Sequence, residues 1–559
     1  VFSCTSDTLR FCARGAALSI HVNPNKTLVL VVGLVLFAVL LRFYGLEQKI
    51  VWHDEVATRV LAAGATIAAQ MQGLYHGQVI AVNQVLHYQQ VQQATSVITL
   101  IADLARHDPQ HPPLYYLLAK VWVDHWGDSV YALRTLSVLF SSLGLLAMYW
   151  LMRELAASRR AAVLALLLMC VSPLFILYGQ EAREYALWSL ALLLSSAALL
   201  RALRLSVESA PAAWRAWLLY GCCLLVAVYT SLSTVALILI QVLYVAVVTR
   251  LKCMRALYGF IVSLSTVGLL FLPWALNLLR NFDAFSASMA WSSVIVIPRT
   301  AVLRILSLNV TRNIFDFWPD VVQDQWLPIA ASLVCTTTIV CVAVWVLRHL
   351  RRETRLYLAL LLVLPTALLL VPDLLFGGIR SSNARYLMPV WLGVVAVLAM
   401  ALDQALVRVG LSEKSEDVYS RHRVLKVLVW LSVLCIVGLA TVTNIRHAKQ
   451  QAPWTKSLSI SLPEVATLIN QSAIPLIVGN QERHHPSNLF ALANVLKPEA
   501  KLQLVPIAQE PTWTLPAHQG TVYLYSPTDQ FRHALEKNNQ VKTRLVFEDL
   551  FLQLWKVED

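Results

Sequence analysis

Four polar groups in an otherwise apolar chain carry residue types suited to chemistry. Trp52-His53-Asp54-Glu55 sets two carboxylates side by side directly after a long apolar run. On a helix such neighbours diverge by about 100°, so Asp54 and Glu55 would take separate jobs. The plainer alternative is that Asp54 caps a helix from Glu55 to Ala63, with Glu55 at the positive end of its dipole. In His107-Asp108-Pro109-Gln110-His111-Pro112-Pro113-Leu114-Tyr115 the paired prolines start a helix with φ already set. His53, His107 and His111 match no defined metal spacing. In Tyr178-Gly179-Gln180-Glu181-Ala182-Arg183-Glu184-Tyr185, Arg183 sits at the end of an apolar run. A guanidinium there offers a planar donor fork to a phosphate, or it snorkels and pairs with Glu181 or Glu184. Arg380 and Arg385, in Gly377-Gly378-Ile379-Arg380-Ser381-Ser382-Asn383-Ala384-Arg385-Tyr386, invite the same two readings.

The elements that must position these groups are membrane spans. Of 559 residues, 58% are hydrophobic and 14% charged, against roughly 25% charged in soluble domains. A single soluble domain or a disordered chain is excluded. Runs that approach the roughly 20 residues a span needs are Leu28 to Leu46, Val130 to Leu151, Ala161 to Tyr178, Tyr185 to Leu205, Trp214 to Thr230 and Thr234 to Thr249. Ala256 to Leu278, Trp326 to Leu347, Leu356 to Phe376, Tyr386 to Val407 and Val424 to Val442 complete a set of about eleven. The nine cysteines show no metal-ligand spacing, and Cys222 and Cys223 read as small residues buried in an apolar run.

Charge placement orients the set. Lys26 before the first run marks a signal anchor, with residues 1–26 as a cytoplasmic tail. The clusters around Arg159, Arg204, Arg250, Arg351 and Arg421 then fall on the same side as the tail, and with it they take about 21 of the basic residues. The formal charge of +13 is therefore a topology signal and not a footprint for nucleic acid. Pro112 to Trp126 is too short to cross and carries Lys120 and Asp124; it reads as a juxtamembrane helix with Tyr115, Tyr116, Trp122 and Trp126 at the interface. A membrane body of residues 27–445 results, with outer loops at 47–129 and 277–325. The tail, 446–559, alternates β-rich runs with helix-like stretches and reads as a small external α/β domain. On its loops His484, His485 and Asn488 could touch an acceptor, although a solvated loop is the plainer account.

An acidic pair after the first span, a His-Pro-Pro-Leu element closing the first outer loop, Ala132-Leu133-Arg134-Thr135-Leu136-Ser137 opening the second span and Gln180-Glu181-Ala182-Arg183-Glu184-Tyr185 after the third resemble polyprenyl-phosphate-sugar-dependent glycosyltransferases of the GT-C fold. The chain looks most like glycosyltransferase family 39, which includes protein O-mannosyltransferases and lipid A aminoarabinose transferases. The resemblance covers roughly the first 200 residues well. It implies Asp54 as catalytic base, Glu55 as a helper that places the acceptor, and Arg183 on the donor phosphate. Tyr115-Tyr116 stand where the protein mannosyltransferases have Gly-Lys, and no lumenal β-trefoil insertion is present, so a bacterial member with a small external domain fits better.

The residues suit that chemistry. Phosphate leaves a sugar as a stable anion, so the site needs cations at the phosphate and one base for the acceptor hydroxyl, not the two carboxyl groups of glycoside hydrolysis. Inverting transfer of a monosaccharide from a polyprenyl-phosphate donor to a lipid, glycan or protein hydroxyl, on the outer face of a bacterial inner membrane, is the expectation. Arg380 and Arg385 would join Arg183 on the phosphate; His53, Asp108, His111, Tyr115 and Tyr185 are expected nearby, against the acceptor or as supports. No cofactor is required, although the set leaves room for a divalent metal ion. The rival is a transporter or flippase of lipid-linked glycans, which would need ionisable groups near the bilayer midplane.

Overall fold

The computed structural model describes residues 24–91, 96–156, 158–249, 253–316, 326–411, 416–480, 486–516 and 520–558. Most of the expected tail, Arg250, and His484 and His485 lie outside them. Each of the eleven predicted runs falls on helix. Among the described residues eight helices are long and apolar enough to cross a membrane, as in a multi-pass membrane protein. A further predicted run is a bent pair, Arg159–Val171 and Pro173–Gly179, meeting at 61°. The other two runs fall on shorter apolar helices, Val31–Phe43 and Thr234–Thr249.

The bend has a local cause. Pro173 has no N–H, and the Leu174 N–H turns to the Arg312 carbonyl (3.1 Å), so the Met169 and Cys170 carbonyls lose their helical donors. Arg42, buried at the end of the first helix, supplies replacements at 3.1 and 3.2 Å, while Asn444 of the last long helix donates to the Val171 carbonyl at 2.8 Å. The bent span is thus fastened to the first and last helices. Gly179 closes the second half against the Val130–Ala156 helix, where a Cβ would stand 2.5 Å from Ser141 Oγ. The segment 180–184 is thereby aimed at the first loop.

The predicted juxtamembrane helix is Leu114–Trp126. Trp122 and Trp126 stack at 4.2 Å, and Trp126 is exposed, but Tyr115 and Tyr116 are buried and not interfacial. They fill a core with Leu61, Leu104 and Leu136, because the helix packs its apolar face on neighbouring helices. Cys223 is buried as expected, whereas Cys222 faces outward. The predicted second loop carries two helices, Phe282–Val294 and Arg299–Thr311, bent by 99°.

The C-terminal segment folds around a six-stranded mixed sheet. Its strands are β1 (Val79–Ala81), β2 (Leu476–Asn480), β3 (Lys501–Val505), β4 (Val522–Tyr525), β5 (Lys542–Glu548) and β6 (Gln553–Glu558), in the order β1-β3-β2-β4-β6-β5. β3, β2 and β4 run parallel and are nearly fully buried, as helix-covered parallel strands are. β1 comes from the first loop and pairs antiparallel with β3, Ile80 opposite Leu502. The first loop and the C-terminal segment therefore share one sheet and one hydrophobic core. They lie on the same side of the spans.

Candidate active site

Asp54 and Glu55 lie in the first turn of the helix His53–Ala62. Acidic residues favour that end of the dipole, but neither is the cap: Trp52 holds the N-cap position in an extended conformation, without a side-chain bond. The helix stops where Gly64 takes φ +87° and the Ala65 N–H folds back to the Val60 carbonyl (3.0 Å). The two carboxylates diverge as their spacing requires.

Glu55 points inward. At 1% exposure it receives Arg134 through both oxygens (2.9 and 2.6 Å), the Ala182 N–H (2.8 Å) and Lys456 Nζ (3.3 Å). Arg134 spends its remaining donors on the carbonyls of Leu46, Lys49 and Ile50. Burial works to raise the Glu55 carboxyl, but Arg134 and Lys456 outweigh it and bring it to about 2. Beside it, burial pushes Glu181 up to about 7 despite Lys456 at 3.5 Å. Burial, with Lys456 and Arg134 close by, brings Lys49 down to about 7. Lys49 donates to Gln180 Oε1 (2.9 Å), and Gln180 Nε2 satisfies the Arg42 and Tyr44 carbonyls at the end of the first helix.

Asp54 points the other way and keeps 20% of its side chain exposed. Oδ2 accepts from Arg385 Nη1 at 2.6 Å, and Oδ1 lies 3.3 Å from His53 Nε2. Burial tends to raise this carboxyl, yet His53, then Arg385, Arg183 and His111, hold it well below the usual carboxylate range. Arg385 also donates to Tyr185 Oη (3.2 Å) and lies over the rings of Trp52, Trp291 and Tyr386. Its turn is pinned by Trp391 Nε1 on the Ala384 carbonyl (2.8 Å).

Arg183, 3% exposed, is held by longer contacts: Glu184 at 3.1 Å, and Thr58 Oγ1 and the Asp54 carbonyl at 3.3 Å. His111 Nε2 lies 3.5 Å from its Nη2, and Tyr116 and Tyr185 present their rings. So Asp54, Arg183, Arg385, His53, His111 and Tyr185 are brought together. Arg380 is turned aside, donating to Asp373 (2.9 Å) and the Gly377 carbonyl. Tyr115 bonds Ser137 Oγ (2.8 Å), one layer behind Arg183, and Asp108 holds Gln110 and the turn to His111.

Arg134, Lys456, Glu184, Trp291 and Arg312 were not among the expected site residues. Arg312 stacks on Trp454 at 3.9 Å, and Trp454 continues edge-on through Tyr178 to Tyr185. A charge inside the apolar start of a span, as at Arg134, is the one signal available, since such a cation must find a carboxylate. Among the described residues no group of three or more His, Cys, Asp or Glu is placed to hold a metal. Both Asp54 oxygens face positive or donor groups.

No protein-family model matches the chain. No curated protein matches it either. In fold it is similar to ArnT from Cupriavidus metallidurans bound to undecaprenyl phosphate, with a TM-score of 0.50 and 13% identity over 96% of this chain and 98% of that one. It is also similar to the oligosaccharyltransferase of Archaeoglobus fulgidus in the apo form, with a TM-score of 0.51 and 13% identity over 87% of this chain and 65% of that one.

Proposed function

We propose that the chain is a membrane glycosyltransferase that moves a monosaccharide from a polyprenyl-phosphate donor to a hydroxyl of a lipid, glycan or protein acceptor, with inversion. The observation that carries the reading is one partly open carboxylate, Asp54, sharing a 2.6 Å contact with Arg385 beside Arg183. The fold shared with an ArnT solved with undecaprenyl phosphate supports a lipid-phosphate donor. Assignment to family 39 rests on the motif resemblance.

In the reaction Asp54 takes the proton of the acceptor hydroxyl, whose oxygen attacks the anomeric carbon. The bond from that carbon to the phosphate oxygen breaks, and the polyprenyl phosphate departs with the electron pair. Arg385 and Arg183 meet the charge that collects on the phosphate. At rest His53, and after it Arg385, keep Asp54 ionised but too weak a base for a hydroxyl. A donor phosphate competes for the same guanidinium, and as Arg385 turns to it the Asp54 basicity rises. Base strength is thus coupled to donor arrival.

Glu55 acts through the structure, since its burial against Arg134, Ala182 and Lys456 leaves no face for an acceptor. Arg380 acts on its own loop through Asp373. The division into tail 1–26, membrane body 27–445 and external part 446–559 fits the reading, with the site on the outer face of a bacterial inner membrane and the N-terminus cytoplasmic. Reconstitution in liposomes with a synthetic polyprenyl-phosphate sugar tests it: transfer with an inverted anomeric configuration, read by NMR, is expected. Movement of the lipid-linked sugar between leaflets without transfer would favour a flippase instead.

A further inference from the structure

The C-terminal segment reaches the Asp54 helix at two points. Trp454–Ser459 is a short 3-10 turn between the last long helix and the α/β part. Within it Ser457 adopts φ 48°, ψ −122°, a conformation that residues other than glycine rarely take. On one side of this turn Lys456 is fully buried, its Nζ 3.3 Å from Glu55 Oε2 and 3.5 Å from Glu181 Oε1, over the ring of Trp52. On the other side Ser459 Oγ accepts the His53 N–H at 3.0 Å, across 406 residues of sequence. That N–H is one of the donors a helix start leaves unpaired, and Trp52 has no side-chain acceptor for it.

Ser459 is itself held from the sheet. Its hydroxyl donates to Asn488 Oδ1 at 2.6 Å, and Asn488 Nδ2 donates to the Leu458 carbonyl (3.0 Å) and to Tyr525 Oη of β4 (2.9 Å). A continuous polar line therefore runs from the core of the sheet to the residue before Asp54. Lys456 adds the charge that lets two buried carboxylates, one on the His53–Ala62 helix and one in the 180–184 turn, lie side by side.

We propose that Lys456 and Ser459 are positioning residues for the transfer reaction: through them the C-terminal α/β part holds the His53–Ala62 helix and the 180–184 turn together, so that Asp54 meets Arg385 and Arg183. The inference rests on the glycosyl-transfer reading of the site. It gives the C-terminal part a role in the catalytic centre, with the β1–β3 pairing as a second attachment of the same loop.

The test uses the full chain in liposomes with a polyprenyl-phosphate sugar donor, with kcat and donor KM measured separately. Lys456→Met is expected to lower kcat by about 100-fold, the scale of an ångström-sized misplacement, with donor KM altered far less and part of the rate restored by Lys456→Arg. Ser459→Ala is expected to lower kcat in the same direction, with rescue by Ser459→Thr. If Lys456→Met fails to fold, Lys456→Met/Glu181→Gln removes the charge together with one of its two carboxylate partners, the other, Glu55, keeping Arg134; folding is expected to be restored and kcat still to be low. A kcat within about threefold of wild type in whichever variant folds would overturn the inference. No transfer by the wild type would instead overturn the functional reading, and this inference with it.

Discussion

Asp54 and Glu55 are adjacent in sequence and opposite in circumstance. Glu55 is 1% exposed and saturated by Arg134, Lys456 and a backbone N–H; Asp54 is 20% exposed and shares its strongest contact with an arginine that also touches Tyr185. One carboxylate is a structural post and the other is free to exchange partners. Helical divergence turns a single acidic pair into a buried support and a partly open carboxylate, the proposed base. It also explains the basic residues around them: Arg134 has no donor left over, whereas Arg183 is held by contacts of 3.1 to 3.5 Å that a phosphate could replace.

The contrast can be broken from either side. Glu55→Ala should cost the most in stability, about 3–5 kcal/mol, because it strands a buried Arg134; thermal unfolding in detergent reads it, and a small loss would mean that Arg134 finds water. Arg385→Ala should leave folding nearly intact while kcat/KM falls by about 100-fold, the worth of one transition-state donor. Steady-state kinetics with the donor would show this, and equal losses in stability and rate would erase the distinction between the two carboxylates.

Glu181 supplies a pH signature. Its carboxyl is raised from 4.5 to about 7, so the folded chain holds a proton that the unfolded chain has released across that range. The group's contribution is full below about 4.5 and is lost as pH rises through about 7. Glu181→Gln should flatten that part of the stability–pH profile, and an unchanged slope would place the proton elsewhere. The smallest effect is expected at Arg380. Arg380 is partly exposed over a fully buried Asp373 that keeps the Ser381 N–H and hydroxyl, and steady-state kinetics of Arg380→Ala should show transfer rates near wild type.

Local and periodic features were legible in the sequence. All eleven predicted runs fall on helix, eight of them on helices long and apolar enough to cross a membrane, and the β-rich runs of the tail coincide with β2 to β6. Asp54, Arg183 and Arg385 were reachable because a charge at the end of an apolar run stands out against its surroundings. Lys456 was not: its partner Glu55 lies 401 residues away, and nothing near it in sequence distinguishes it from a surface lysine. β1, at three residues, is too short to show a period of two. Aromatic residues in a short amphipathic helix suit the membrane interface, but the cover over Tyr115 and Tyr116 on the helix's inner face comes from elements distant in sequence.

The central claim is that Arg385 is shared between Asp54 and the donor phosphate, and Asp54→Asn tests it most directly. Removing the carboxylate charge frees Arg385 without removing a hydrogen-bond acceptor. The variant should bind polyprenyl phosphate at least as tightly as wild type, by titration in nanodiscs, while transfer falls by about 10²–10⁴-fold. Transfer at the wild-type rate, or binding weakened along with it, would contradict the account.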